Sequence, residues 1–248
     1  MEWQIGCSGF HYKDWKGIFY PEKMPQRQWF EYYSSRFHTL ELNVTFYRFP
    51  QLPFLHNWYA KSPEHFSFAV KVPRLITHYK QFKDCASLLS DFYGTVRNGL
   101  KDKLGPILFQ LPPQYQYTEQ RLQHIIGQVD GSFDNVIEFR HISWWNDQVK
   151  KALTDKNITF CGISHPTLPD EVIINTRVVY FRFHGVPDLY YSSYPEKELK
   201  RVADAIRKSK TAEKVFIYFN NTATGAAIEN AATFEGYLHP VPEVIDQK

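Results

Sequence analysis

The chain has 248 residues, 29 Lys and Arg against 26 Asp and Glu, and a formal net charge of +3. That balance argues against a basic coat for nucleic acid, and no apolar run approaches the ~18 residues of a membrane span. Cys7, Cys85 and Cys161 lie too far apart for a CxxC metal pattern or a disulfide framework.

The N-terminal string MEWQIGCSGF lacks a basic-then-apolar leader, so the expectation is a cytoplasmic chain with reduced cysteines. Read along the chain, short β-branched or aromatic runs alternate with helical periods. The first strand is read at Trp3–Gly9, followed by an apolar stripe at Trp29, Phe30, Tyr33 and Phe37. A second strand, Leu40–Asn43, leads to Phe54, Leu55 and Trp58, which allow only a short helix. After a third strand at Phe66–Val72, the positions from Cys85 to Leu100 keep the i, i+3, i+4 spacing of a buried helix face. A fourth strand at Ile107–Leu111 precedes a stripe at Leu122, Ile125, Ile126 and Val129. The fifth and sixth strands are Val136–Arg140 and Ile158–Ser164. Next comes PTLPDEVIINTR, whose prolines disfavour a full crossover helix, so the sixth unit is expected to be irregular. The seventh strand, Val178–His184, is followed by an amphipathic stretch, KELKRVADAIRKSK, whose charges fall on a solvated face. The eighth, Val215–Asn220, runs into a helix start at Thr222, Thr224 and Gly225.

Alternating strand and helix implies a parallel sheet with covering helices. Eight units in one chain of this length predict an α/β fold, a single-domain (β/α)8 TIM-type barrel over 1–248. A doubly wound open sheet is the runner-up, but no GxGxxG turn supports it.

Side chains alternate across a strand, and the strands sort their chemistry by that parity. Leu40 and Leu42 oppose Glu41 and Asn43; Val70 and Val72 oppose Lys71; Phe109 opposes Gln110. In the same way Ile137 and Phe139 oppose Glu138 and Arg140, while Phe181 and Phe183 oppose Arg182 and His184. In the last strand Ile217 and Phe219 oppose Tyr218 and Asn220. The apolar set is expected to face the helices, which sends the polar set into the barrel at its C-terminal end, where active sites of such barrels lie. A closed ion-pair network that only fixes register is the competing explanation.

The strings IGCSGFHYKDWKGIFYP (5–21), LELNVTFYRFP (40–50), FAVKVPRLITH (68–78), GPILFQLPP (105–113), IEFRHISWW (137–145), YFRFHG (180–185) and YFNN (218–221) resemble the YecE-like family, catalogued as domain of unknown function 72. The resemblance runs in order from about Trp3 to Leu238 and implies a cytoplasmic barrel without naming a reaction. Its motif positions include Gly6, Ser8, Gly9, Thr45, Phe46, Thr77 and Gly185 besides the polar strand ends. The family tends to carry an acidic residue near the end of the sixth strand, where Ser164 and His165 stand here.

The expected site follows from these residues. Glu41 and Glu138 are suited to paired acid–base work if their environments push their pKa values apart. Lys71 and His184 complete the candidate catalytic set. Arg140 and Arg182, with Lys71, suit an anionic group, and Asn43, Gln110, Tyr218 and Asn220 would orient it. Tyr12, Trp15, Tyr47, His78 and Trp144 are candidates to line the mouth and stack on a ligand. No cofactor is evident. A divalent metal on Glu41, Glu138, His184 and His78 is less favoured, because three cations would repel it. The expected partner is a small, anionic or polyol molecule, phosphorylated or sugar-like compounds among them, rather than nucleic acid or membrane. An enzyme is favoured over a ligand-sensing module, and both over a nucleic-acid-acting enzyme or adaptor.

Overall fold

A computed structural model of the protein describes residues 1–238 and builds them around one parallel sheet. The strands are β1 (Glu2–Cys7), β2 (Thr39–Leu42), β3 (Ser67–Lys71), β4 (Leu104–Gln110), β5 (Asn135–Glu138), β6 (Thr159–Phe160), β7 (Gly162–Ser164), β8 (Val178–Phe183) and β9 (Lys214–Phe219). Their order is β6-β5-β4-β3-β2-β1-β9-β8-β7. β6 and β7 are two halves of one strand, interrupted at Cys161. Its first half pairs with β5 and its second with β8, so that strand closes the barrel. The eight expected strands are all present, and the fold is an α/β TIM-type barrel.

The covering helices are α1 (Trp29–Ser34), α2 (Val44–Tyr47), α3 (Leu52–Lys61), α4 (Ala86–Leu100), α5 (Glu119–Ile126), α6 (Asp147–Asp155), α7 (Glu196–Arg207) and α8 (Ala226–Leu238). α3 reaches ten residues, longer than its weak stripe predicts. Pro53 sits in its first turn, where no amide hydrogen is needed, and Leu55 is its one buried residue. α6 was not expected from periodicity. It starts where the Asn146 side chain accepts from the Val149 amide, and it buries Val149 and Leu153. The connection from 165 to 177 forms no helix, as its prolines predict; instead Glu171 bridges back to Ile163.

Parity organises the interior as the sequence implies. Leu40, Leu42, Val70, Phe109, Ile137, Phe181 and Ile217 join the layer beneath the helices. A separate inner cluster holds Ala69, Leu108, Val136, Cys161, Tyr180 and Tyr218. On most strands the inner apolar residue precedes a polar one by two: Ala69 then Lys71, Leu108 then Gln110, Val136 then Glu138, Tyr180 then Arg182. The lower barrel is therefore filled with hydrocarbon and the C-terminal end with charge. The β3–β4 pairing shifts register between Phe68 and Val70, yet Val70 stays outward and Ala69 inward.

Two local devices position the first strand ends. Gly6 lets β1 approach β2, since a Cβ there would sit 2.3 Å from the Thr39 carbonyl oxygen. Trp15 is buried, and its Nε1 donates to the carbonyls of Thr222 (3.3 Å) and Thr224 (2.9 Å). This ties the first loop to the last. The α8 start is a plain cap: Thr224 Oγ1 accepts from the Ala226 amide, and Ile18 packs over Gly225. Among the described residues no helix is long and apolar enough to cross a membrane. The three cysteines are buried and free.

Candidate active site

The polar strand ends converge at the C-terminal mouth on a network centred on Arg182. Its guanidinium donates to Glu41 Oε1 at 2.7 Å and to Glu138 Oε2 at 2.5 Å, and both carboxylates are 0% exposed. The second oxygen of Glu41 accepts from the Tyr180 hydroxyl at 2.6 Å, and that of Glu138 from Arg140 Nε. Burial raises the pKa of Glu138, but Arg140, Arg182 and His184 outweigh it and hold the carboxyl well below its ordinary range. One guanidinium thus bridges the two carboxylates and leaves neither in apolar cover. The expected split into one protonated and one ionised glutamate does not arise from this geometry. Arg182 also fills the space that an ion shared by Glu41 and Glu138 would need. Among the described residues no three His, Cys, Asp or Glu side chains gather as a metal site.

Lys71 stands apart from the network. It is 7% exposed, and among the described residues its Nζ makes no hydrogen bond or ion pair; it lies 4.2 Å from the centre of the Phe46 ring. Burial, then the positive charge of Arg182, lowers its pKa to about 7, although Glu138 and Glu41 pull the other way. β2 sets its place: Leu42 pairs with Val70, so Asn43 and Lys71 leave adjacent strand ends. The Thr45 hydroxyl fixes the join by donating to the Lys71 carbonyl at 2.6 Å. Asn43 Oδ1 is buried without a partner among the described residues. It borders a groove of about 330 Å³ lined also by Gly9, His11, Tyr12, Glu41 and Tyr47.

Three imidazoles of the mouth, His78, His165 and His184, are held neutral. Burial and then Arg140 lower His184 far below its usual value, against the pull of Glu138. Its Nδ1 meets the Asn220 amide at 2.9 Å, and Arg140 Nη2 approaches Nε2 at 3.2 Å. His78 packs edge-on against Phe46, with Thr77 Oγ1 at 2.9 Å from Nδ1. Burial and the cations Lys71, Arg140 and Arg74 lower it to about 4. His165 falls to about 4 for the same reasons, burial and then Arg140. Lys71, His78, His165 and His184 are each pushed toward the neutral form by burial together with nearby positive charge.

Several expected residues lie elsewhere. Tyr218 sits in the inner apolar cluster, its hydroxyl 2.6 Å from Thr39 Oγ1, too deep to line the mouth. Trp15 is locked into the loop contacts given above. Trp144 is wholly buried beneath the helices, stacked on Phe139 and donating to the Tyr115 carbonyl. Their indole N–H groups are spent on backbone carbonyls, the usual fate of buried tryptophans. Gln110 is partly exposed at the end of β4, 3.5 Å from the Leu111 carbonyl. Tyr12 covers β1 by donating to the Ser8 carbonyl at 2.6 Å. Tyr47 is exposed at the rim, where Arg74 lies between it and Tyr79 at 5.2 and 5.4 Å from the two ring centres.

Sequence reading assigned no role in the site to Tyr180, Ser8 or Arg74. Tyr180 and Ser8 carry the inward parity, Tyr180 two residues before Arg182 and Ser8 two after Gly6; Arg182 Nη2 reaches Ser8 Oγ at 3.4 Å. At the end of the sixth strand the Ser164 hydroxyl donates to Asp170 Oδ2 of the following loop at 3.2 Å.

Residues 4–247 match the family described as "Protein of unknown function DUF72". The UPF0759 protein YunF of Bacillus subtilis (strain 168) is 22% identical over 259 residues, 91% of each chain. A solved DUF72 family protein from Thermotoga maritima MSB8 matches with a TM-score of 0.87 at 29% identity, covering 96% of this chain and 100% of that one. Another, from Enterococcus faecalis V583, gives 0.82 at 20% identity over 96% of both. A D-psicose 3-epimerase with D-tagatose, from Clostridium cellulolyticum H10, gives 0.51 at 10% identity over 96% of this chain and 97% of that one, a likeness of fold alone.

Proposed function

The chain belongs to the DUF72 family, and from the chemistry of its barrel mouth we propose that it is an enzyme performing acid–base chemistry on a small, hydroxylated, anionic substrate. The observation that carries this reading is Lys71, an inward amine that no carboxylate pairs and whose pKa falls to about 7. A group with a pKa near working pH takes and returns a proton most effectively. Glu41 and Glu138, both spent on Arg182, act instead as fixed supports that hold the cations in place.

Surplus positive charge around Arg140, Arg74 and Lys71 favours an anionic group on the ligand. Asn43 borders the groove, and a turn of its side chain toward it would offer the unpartnered Oδ1 to a substrate hydroxyl. His78 and His184 are neutral and able to pass a proton. The barrel shared with D-psicose 3-epimerase speaks for the fold; the reading rests on this mouth alone.

The test is a panel of sugar phosphates, hydroxy acids and oxo acids, screened by thermal shift and then by NMR in D2O. Deuterium should enter a substrate carbon in the presence of the wild-type protein and fail to enter with Lys71→Met. A compound that raises the melting temperature yet exchanges no proton and gives no product would make the protein a binding module instead.

A further inference from the structure

We propose that Lys71 is a nucleophile that forms a Schiff base with a small aldehyde or ketone bearing an anionic group. The proposal rests on the reading above for the anion, and goes beyond it in making the lysine covalent.

Among the described residues two lysines are nearly buried, and they differ in one respect. Lys103, 8% exposed, donates from Nζ to the carbonyls of Tyr59 and Ser62 at 2.8 Å each and to Ser62 Oγ at 2.9 Å. Three acceptors satisfy the three hydrogens of an ammonium, so Lys103 is a structural cation. Lys71, equally buried, has none of them; it has the face of Phe46. Glu41 and Glu138 are close enough to influence it, but their oxygens are occupied by Arg182, Tyr180 and Arg140. An ammonium without acceptors beside two guanidinium groups favours its free-base form, and a desolvated lysine next to another cation is an activated amine. Nor is it sealed. Lys71 keeps 7% of its surface exposed, so the residue is not closed off from solvent.

The step balances with the groups present. The amine lone pair attacks the carbonyl carbon, a C–N bond forms, and one amine hydrogen moves to the carbonyl oxygen to give a carbinolamine. The hydroxyl then leaves with the second amine hydrogen as water, and the nitrogen lone pair closes the C=N bond. His78, neutral and packed against the same Phe46 ring, offers a site for the travelling proton. Arg140 and Arg74 take the substrate's anionic end.

The full-length protein, treated with glyoxylate and sodium cyanoborohydride at pH 7, tests the step. Hydride from the reagent reduces the C=N bond to a stable secondary amine, and peptide mapping by mass spectrometry locates it. Lys71 should be labelled at least about ten-fold faster than any other lysine, since ordinary lysines near pKa 10.4 carry almost no free base at pH 7. Lys103 should stay unlabelled, and Lys71→Met should lose the label without a fall in melting temperature. Label spread over exposed lysines with Lys71 unmodified overturns the proposal. If Lys71 is then still required for deuterium exchange, only the covalent step falls and acid–base chemistry stands. If Lys71 is labelled but no compound exchanges protons, the nucleophile stands and the acid–base reading falls.

Discussion

Glu138 accepts from Arg140 and Arg182 without exposure to water, so Glu138→Gln leaves two guanidinium groups short of a counter-charge. Removing one partner of a buried pair costs about 3–5 kcal/mol, and urea denaturation at pH 7 should show a loss of that order. Because the folded pKa lies below the ordinary value, this stabilisation is complete above about pH 4.3 and is lost as pH falls through the folded value. The mutant's stability should therefore fall less steeply in acid than that of the wild type.

Lys71 titrates in the opposite sense to a paired lysine. The unfolded chain keeps its proton up to about pH 10.4, while the folded chain releases it near 7. Burying the charged amine thus costs stability below pH 7, and that cost fades as pH rises between the two values. Lys71→Met should be more stable than wild type at pH 6, and the gain should shrink by pH 9.5. At about 1.4 kcal/mol per pKa unit, the fall from 10.5 to about 7 caps the gain at about 5 kcal/mol. A mutant less stable than wild type at pH 6 would show that Lys71 has a partner after all.

At the scale of elements, two glycines separate close packing from backbone freedom. Gly6 joins β1 to β2, where only Gly6 with Thr39 and Cys7 with Leu40 are in register. Its Cβ would strike the Thr39 carbonyl, a backbone atom with little room to move. Gly6→Ala should lose about 1–3 kcal/mol, the usual range for overpacking. Gly94 lies mid-helix in α4 with nothing within 4 Å of its Cβ position, so Gly94→Ala should gain about 0.5–1 kcal/mol. Melting curves of the two variants should move in opposite directions.

Elements were also where the sequence was most legible. Strand position and parity follow from local alternation, which is why Glu41, Lys71, Glu138 and Arg182 could be sent inward before any coordinates. Parity says nothing of depth, so Tyr218 could be read as a ligand contact although it belongs to the barrel floor. Nor does it say which inward charge meets which. The bridge from Glu41 through Arg182 to Glu138 is a long-range pairing, and on the proposed reading it makes the carboxylates supports rather than acid and base. Trp15 and Trp144 were misplaced because a tryptophan in a loop reads the same whether it stacks on a ligand or caps a carbonyl. α6 was missed for lack of a long stripe, though Asn146 three residues before Val149 is a cap signal.

At the scale of the molecule, Arg182 on β8 reaches Glu41 on β2 and Glu138 on β5, tying three separated strands across the barrel. Whether that tie exists for stability or for chemistry can be decided by removing it whole. Desolvating three charges is expensive, and buried ion networks are often matched or exceeded by well-packed apolar residues of similar volume. Arg182→Met alone strands two buried carboxylates and should lose about 3–5 kcal/mol. The combined Glu41→Leu, Glu138→Leu, Arg182→Met variant removes the three bridging charges together and strands Arg140, which loses Glu138, and the Tyr180 hydroxyl, which loses Glu41. It should be more stable than Arg182→Met in urea, with a strongly non-additive thermodynamic cycle. A triple variant that folds well but no longer supports labelling of Lys71 would show that the barrel keeps its charges to shape the amine's surroundings. Additive losses would instead make the network a structural clamp, the competing explanation that parity alone could not dismiss.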